Sequence, residues 1–474
     1  MPKLQKMNAA AKATLMFSLA NIIHYGCSLL YAPVFARLMS QAEYGIVTIY
    51  NSWLGLLTPV LTLNVWGSAY IGFVEYKTER DQFAAAAQKL ILPLCGFAAL
   101  MLLIFPNELS AFLTLPLPLL WFMLLNVTTT PAFQFWNARQ RYEGRYKALF
   151  WTSVANSVAV LVLGILAVWQ FPEKKAEARI VGGGIVPLLL YSALFFLVLV
   201  RGRKGGKKRE KRIFALKMSL AQLPGSIASS LLSQMDRIMI AQILGQGSAA
   251  VYGMAGTVNN AFYSIILSAI NATWVPAIFH ALENGQQQEL KKNANYLTAL
   301  VAIVCLLVIL VAPEGILFLG GFSYEKAKWC VPGLILCVVF SFVSGLFGNV
   351  TAYYKRPQYQ CVGPLAGVGV NLVLNYLLIP AYGITAASYT SLVASIVGCV
   401  ISYRMMLIAC KKCGAKYHLY DLFILTAIAI GTLILGIGCT MLYEYIVPRY
   451  ITFLLAILAV LWKRKEILKL IQRK

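Results

Sequence analysis

The sequence predicts an all-α polytopic membrane protein of about 14 transmembrane helices, and three observations carry that prediction. The chain is 59% hydrophobic and only 12% charged, with a mean hydropathy of +0.72, where an ordinary soluble domain carries about 25% charged residues. Charge-poor runs of about 20 residues, the length that crosses a hydrocarbon core, recur along all 474 residues. The 41 Lys and Arg against 17 Asp and Glu, a formal charge of +24, collect in alternate gaps between those runs.

In order, the runs cover approximately 13–36, 44–67, 87–106, 115–137, 147–170, 180–200, 217–243, 251–280, 294–319, 330–354, 361–380, 383–408, 421–443 and 447–462. The sixth has no charge from Ile180 to Val200, and the last is the weakest, with 13 residues between Arg449 and Lys463. Lys3, Lys6 and Lys12 precede the first run, which continues past Pro33 without a small-residue cleavage site, so it reads as a spanning helix rather than a signal peptide.

Lys and Arg near span ends stay on the cytoplasmic side. With the N-terminus inside, 33 of the 41 basic residues and nine of the acidic ones lie inside, seven of each lie outside, and Asp236 and Arg237 fall within a span. The inside then carries the whole +24, facing anionic headgroups, and both termini are expected in the cytoplasm. The basic stretch Arg201 to Arg212 is expected to be an orienting, lipid-facing linker, and nucleic acid is not expected as a partner. It divides the chain into a six-helix lobe (1–200), a cytoplasmic linker (201–216), a second six-helix lobe (217–410), and two additional helices with a basic tail (411–474). Elements about 205 residues apart recur weakly, with Lys12 and Lys217 opening corresponding spans, as parallel repeats would.

Several chemistries are excluded. Ten Cys in a chain this long, mostly within apolar runs, read as core residues rather than a disulfide framework. No G-x-x-x-x-G-K-[ST] loop occurs, so ATP hydrolysis is not expected. His24, His280 and His418 are scattered, and Cys410 and Cys413 have no second pair to complete a metal site. No cofactor and no metal are expected.

Polar groups within spans are costly in hydrocarbon and usually face a bundle interior or a wet cavity. Asn21, His24, Ser28 and Tyr31 form a helical stripe on the first span, and Gln222, Ser226, Ser229, Ser233 and Arg237 form one on the seventh. Asn126, Thr130, Gln134 and Asn137 mark the fourth span, Asn260, Ser264, Asn271 and Trp274 the eighth, and Asn371 and Asn375 the eleventh. The competing reading is interhelical glue. For Asp236 and Arg237 it is a locked ion pair or an interface anchor. Prolines at 33, 59, 93, 187, 224, 276, 332 and 364 interrupt the spans and permit bending.

Glu43-Tyr44-Gly45, Leu223-Pro224, Asp236-Arg237-Ile238-Met239-Ile240, Leu244-Gly245, Tyr252-Gly253 and Trp274-Val275-Pro276 are followed by Asn371-x-x-x-Asn375, Ile379-Pro380-Ala381-Tyr382-Gly383-Ile384 and Ala386-Ala387. Together they resemble the polysaccharide-transporter branch of the multidrug/oligosaccharidyl-lipid/polysaccharide (MOP) exporters, the branch that holds the Wzx-type flippases. The resemblance implies a MATE-like, V-shaped pair of lobes in the bacterial cytoplasmic membrane. It implies alternating-access transfer of an undecaprenyl-diphosphate-linked oligosaccharide for capsule, O-antigen or exopolysaccharide synthesis, with glycosyltransferases and a polysaccharide polymerase as partners. On that reading Arg237 and Arg37 contact the diphosphate, and Asn21, His24, Ser233, Asn371 and Asn375 contact the substrate. Arg139, Arg141 and Arg145 serve its entry, and Asp236 or His24 couples an ion. A lipid II flippase and a cation-coupled multidrug exporter are the alternatives within the superfamily. No Lys or Arg lies between Tyr44 and Val74, and few carboxylates are embedded, which favours the oligosaccharide reading over both. A non-transporting scaffold in a glycan-assembly complex is a third alternative.

Overall fold

The computed structural model describes residues 26, 29–203, 208–414 and 419–462, and among them there are helices and no strands. The helices are α1 (Leu29–Leu38), α2 (Gln41–Leu61), α3 (Ala69–Glu75), α4 (Arg80–Gln88), α5 (Leu92–Ile104), α6 (Pro106–Leu113), α7 (Leu117–Tyr142), α8 (Tyr146–Gln170), α9 (Lys175–Arg201) and α10 (Lys208–Leu244). They continue with α11 (Gln246–Glu283), α12 (Gln287–Gly320), α13 (Val331–Tyr353), α14 (Val362–Tyr382), α15 (Ile384–Lys412), α16 (Leu422–Met441) and α17 (Ile446–Trp462).

Among the described residues eight helices are long and apolar enough to cross a membrane, or ten if each of two bent pairs is one span. Those ten coincide with ten of the expected runs. Of the other four, the first begins outside the described residues and α17 holds a shorter apolar helix, Ile446–Leu458. The remaining two expected runs form α10 and α11, which are helical throughout their described length but carry the polar stripes. The chain is a multi-pass membrane protein. Its contacts divide it into two compact units, 1–253 and 254–474. In the first, α10 packs against α2 and α4.

The second expected run is broken. Leu63 and Asn64 have φ of 51° and 49°, in the left-handed region that side chains other than Gly rarely adopt, and the segments on either side are bent by 55°. The Asn64 amide donates to Ser226 Oγ at 2.6 Å, and Gln222 Nε2 donates to the Gly67 carbonyl at 3.2 Å. Part of the polar stripe on α10 therefore satisfies the groups that the break frees.

The prolines fall into two classes. Pro59, Pro187 and Pro224 lie inside helices. Pro93 and Pro332 occupy the first turns of α5 and α13, where a missing N–H removes nothing. Pro332 starts its helix without interrupting a span, which corrects that expectation, whereas Pro93 follows the break between α4 and α5 inside the single span Arg80–Ile104.

The residues of the Glu43-Tyr44-Gly45 motif have separate structural tasks. Ser40 and Glu43 form a capping box, Ser40 N donating to Glu43 Oε2 at 2.7 Å and Glu43 N to Ser40 Oγ at 3.3 Å. This satisfies donors that the start of α2 leaves open. Gly45 lets the backbone of Gln246 approach: a Cβ at position 45 would stand 2.1 Å from the Gln246 carbonyl oxygen. Because backbone cannot swing aside, Gly45→Ala is expected to destabilise the first unit by about 1–3 kcal/mol, the usual cost of overpacking. The check is a lowered thermal midpoint in detergent.

Candidate functional site

The motifs that lie about 200 residues apart in sequence meet in the first unit. Gly245, at φ 89°, turns α10 into α11 and brings Gln246 against Gly45 and Gly253 against Thr48 of α2. From the same turn Tyr252, 2% exposed, donates its hydroxyl to Asp236 Oδ2 at 2.6 Å. Asp236 itself is buried, 4% exposed. A charge-assisted bond of this kind is shorter and stronger than a neutral one, and it holds the carboxylate on the α11 side of α10.

Arg237 takes different partners. Its Nη1 donates to Gln234 Oε1 at 2.9 Å and, at 3.5 Å, to the Ser233 carbonyl. Gln234 in turn packs where Gly55 of α2 leaves room, since a Cβ there would stand 3.1 Å from Gln234 Nε2. Nε of Arg237 is buried with no acceptor among the described residues. The guanidinium is thus oriented by neutral groups. Ser233, one turn before it, is exposed, as are Ser229 and Gln222 on the same helix. An exposed polar face ending in a half-satisfied cation is an arrangement that can receive a hydroxyl-rich, anionic molecule.

The other expected site residues lie elsewhere in the two units or outside the described residues. Asn21 and His24 lie outside the described residues, and Tyr31 on their stripe donates to the Ser157 carbonyl at 2.5 Å. Arg37 is exposed at the end of α1 and its Nη1 donates to the Pro33 carbonyl at 2.8 Å. Asn126 donates to the Phe122 carbonyl at 2.8 Å and faces the Tyr50 hydroxyl at 3.5 Å. In the second unit Asn371 and Asn375 are 1% and 0% exposed. Asn371 donates to Ser391 Oγ at 3.0 Å, Asn375 donates to Asn371 Oδ1 at 3.2 Å, and Thr390 donates to Asn375 Oδ1. That relay ties α14 to α15, the task of interhelical glue.

Arg139 and Arg141 sit at the end of α7 and Arg145 at the N-cap of α8, beside a cluster of opposite charge. Arg139 pairs with Asp81 and, through Nε, with Glu143 at 2.8 Å. Arg80 and Arg145 each reach Glu143 at 3.2 Å, and Arg141 is exposed. Burial raises the Glu143 carboxyl, but Arg139, Arg145 and Arg80 outweigh it and hold the group below its ordinary 4.5. A depressed carboxyl contributes stability that is present above 4.5 and is lost as the pH falls through the lower folded value. The thermal midpoints of wild type and Glu143→Gln are therefore expected to differ at neutral pH and to converge in acid below 4.5. Midpoints measured in detergent across that range check it.

Sequence reasoning missed three groups. Lys211, counted with the linker cations, is 1% exposed, pairs with Glu79 at 2.7 Å and donates to Gln82 at 2.5 Å. Arg449, which bounds the last apolar run, is 3% exposed and pairs with Glu314, which also accepts from Tyr450 at 3.0 Å. Arg179, just before the charge-free run from Ile180, lies within α9 over the ring of Phe35. A lone cation beside an apolar run has no periodic signature in sequence.

Over residues 10–282 the sequence matches the family described as polysaccharide biosynthesis protein. No curated protein sequence matches the chain. Among solved structures the chain is similar to the lipid II flippase MurJ in an inward closed conformation, with a TM-score of 0.65 and 13% identity over 96% of this chain and 100% of that one. It is also similar to a multidrug resistance MATE transporter of the MOP superfamily in an inward-facing conformation, with a TM-score of 0.62 and 14% identity over 86% and 100% of the two chains. A mutant of the Vibrio cholerae MATE transporter VcmN gives a TM-score of 0.55 and 14% identity over 85% and 97%. At these identities the likeness establishes a shared MurJ/MATE-like fold.

Proposed function

The chain belongs to the polysaccharide biosynthesis protein family, and from that premise we propose that it is a non-hydrolytic flippase for polyprenyl-diphosphate-linked oligosaccharides. It acts in the bacterial cytoplasmic membrane with both termini in the cytoplasm, and moves its substrate by alternating access between two six-helix lobes. The observation that carries this reading is Arg237, held within a membrane helix by the neutral Gln234 and Ser233 while Nε lacks an acceptor among the described residues. A diphosphate supplies oxygens that a guanidinium fork matches, and the exposed Ser229, Ser233 and Gln222 suit a sugar. Arg37, Arg141 and Arg145 guide the diphosphate at either mouth, Asn21 and His24 extend the sugar-contacting stripe, and Asn371 and Asn375 fix the helices of the second lobe. Asp236, which accepts the Tyr252 hydroxyl, is the coupling candidate in the described residues. Glycosyltransferases supply the substrate and a polymerase receives it.

The test is translocation in proteoliposomes of a fluorescent polyprenyl-diphosphate oligosaccharide, read by quenching from the outer leaflet, with the proton and sodium gradients collapsed separately. Protein-dependent transfer is expected. No transfer with a panel of such lipids, together with efflux of cationic dyes, sinks the proposal in favour of a multidrug exporter.

A further inference from the structure

Arg179 has no role in the reading above, yet its surroundings are those of a binding group. It lies in the apolar stretch Pro172–Arg201, whose mean hydropathy reaches 2.4, where an uncompensated cation is costly. Its guanidinium carbon stands 4.0 Å from the ring centroid of Phe35, itself 2% exposed, and 5.9 Å from that of Tyr31. The Tyr31 hydroxyl is directed away, to the Ser157 carbonyl at 2.5 Å. Glycines make the space: a Cβ at Gly183 would stand 2.2 Å from Arg179 Nη1, and one at Gly164 would stand 3.2 Å away. Stacking occupies the face of a guanidinium and leaves its edge, with five N–H donors, open. Among the described residues no carboxylate pairs with Arg179 and no acceptor receives its hydrogen bonds. The residue is half-buried rather than sealed. Its end of the unit is where Lys175 Nζ donates to the Leu38 carbonyl at 3.1 Å, tying the start of α9 to the end of α1.

From this geometry we infer that Arg179, stacked on Phe35 in the glycine-lined groove between α8 and α9, is a second anion-binding point that receives a lipid-borne phosphate. The phosphate belongs either to the diphosphate of the transported lipid, which rests on the flippase reading, or to an anionic phospholipid of the surrounding bilayer, which does not. In both cases two oxygens meet the open edge of the fork while Phe35 fixes its plane.

The experiment is native mass spectrometry of the full-length wild type, Arg179→Gln and Arg179→Lys. Each is titrated separately with polyprenyl diphosphate, phosphatidylglycerol and uncharged polyprenol. Arg179→Gln is expected to weaken one bound lipid about tenfold, the size of a lost charge-assisted pair, with polyprenol unaffected. Loss in the polyprenyl diphosphate series alone assigns the site to the substrate, and loss with phosphatidylglycerol assigns it to bilayer lipid. Arg179→Lys keeps the charge without the fork and is expected to fall between. Unchanged binding of both phosphate lipids by Arg179→Gln overturns the inference. If that variant does not fold, unchanged binding by Arg179→Lys overturns it. A protein that binds phosphatidylglycerol through Arg179 but transfers no oligosaccharide refutes the flippase reading and leaves this site standing.

Discussion

Arg237→Gln is expected to lower oligosaccharide transfer by about 10- to 100-fold, the rate equivalent of one lost charge-assisted interaction of about 1.5–3 kcal/mol. Gln keeps the polarity and much of the length, so α10 still packs on α2. It removes the charge and the fork, and the other residues of the stripe, Gln222, Ser226, Ser229 and Ser233, are neutral. Arg237→Lys retains the charge without the bidentate geometry and is expected to recover part of the rate. Gln234→Ala frees the guanidinium from its orienting acceptor and is expected to lower transfer less than Arg237→Gln. The check is initial transfer rate in proteoliposomes at equal reconstituted protein, with monodispersity and thermal midpoint measured alongside. Wild-type rates for Arg237→Gln would remove Arg237 from the transport pathway.

Arg449→Ala gives the largest expected loss of stability. Its guanidinium is buried against Glu314, its Nη1 also donates to the Tyr443 carbonyl at 3.4 Å, and Tyr443 in turn donates to the Ile309 carbonyl of α12 at 2.9 Å. Removing one partner of such a pair leaves a carboxylate in a poorly solvated place. The cost is about 3 kcal/mol, the low end of the range for buried pairs, because the Glu314 side chain is 37% exposed. Glu314→Gln in the same chain removes the stranded charge, and the double variant is expected to regain part of the loss. Chemical denaturation of the detergent-solubilised protein reads both. A midpoint unchanged by Arg449→Ala would show that the Arg449–Glu314 pair does not hold α17 on α12.

The two variants mark what the sequence discloses. Hydrophobic runs and charge asymmetry locate spans because the bilayer imposes one length and one polarity on each of them, so α5, α8, α9 and α12 to α16 lie where apolarity places them. The polar stripe on α10 is equally legible as periodicity. Periodicity does not say what a stripe meets: Gln222 and Ser226 meet the broken α2–α3 segment, whereas Ser229 and Ser233 are left exposed. Asn371 and Asn375 bear the same pattern and close a buried relay. The pairings of Lys211 with Glu79 and of Arg449 with Glu314 join residues more than 100 positions apart, and no local rule connects them. Charge arithmetic counts such residues and says nothing of which neighbour they find.

The left-handed break at Leu63 and Asn64 bears on how the chain is made. Asn64 finds its acceptor in Ser226, 162 residues later. At a ribosome adding about 5–20 residues each second, that partner is synthesised roughly 8 to 30 seconds after the break itself. Through that interval the amide and the neighbouring backbone must lean on water, lipid headgroups or the insertion machinery. Biogenesis of this fold therefore cannot finish hairpin by hairpin, and a chain halted before α10 is a natural target for membrane quality control.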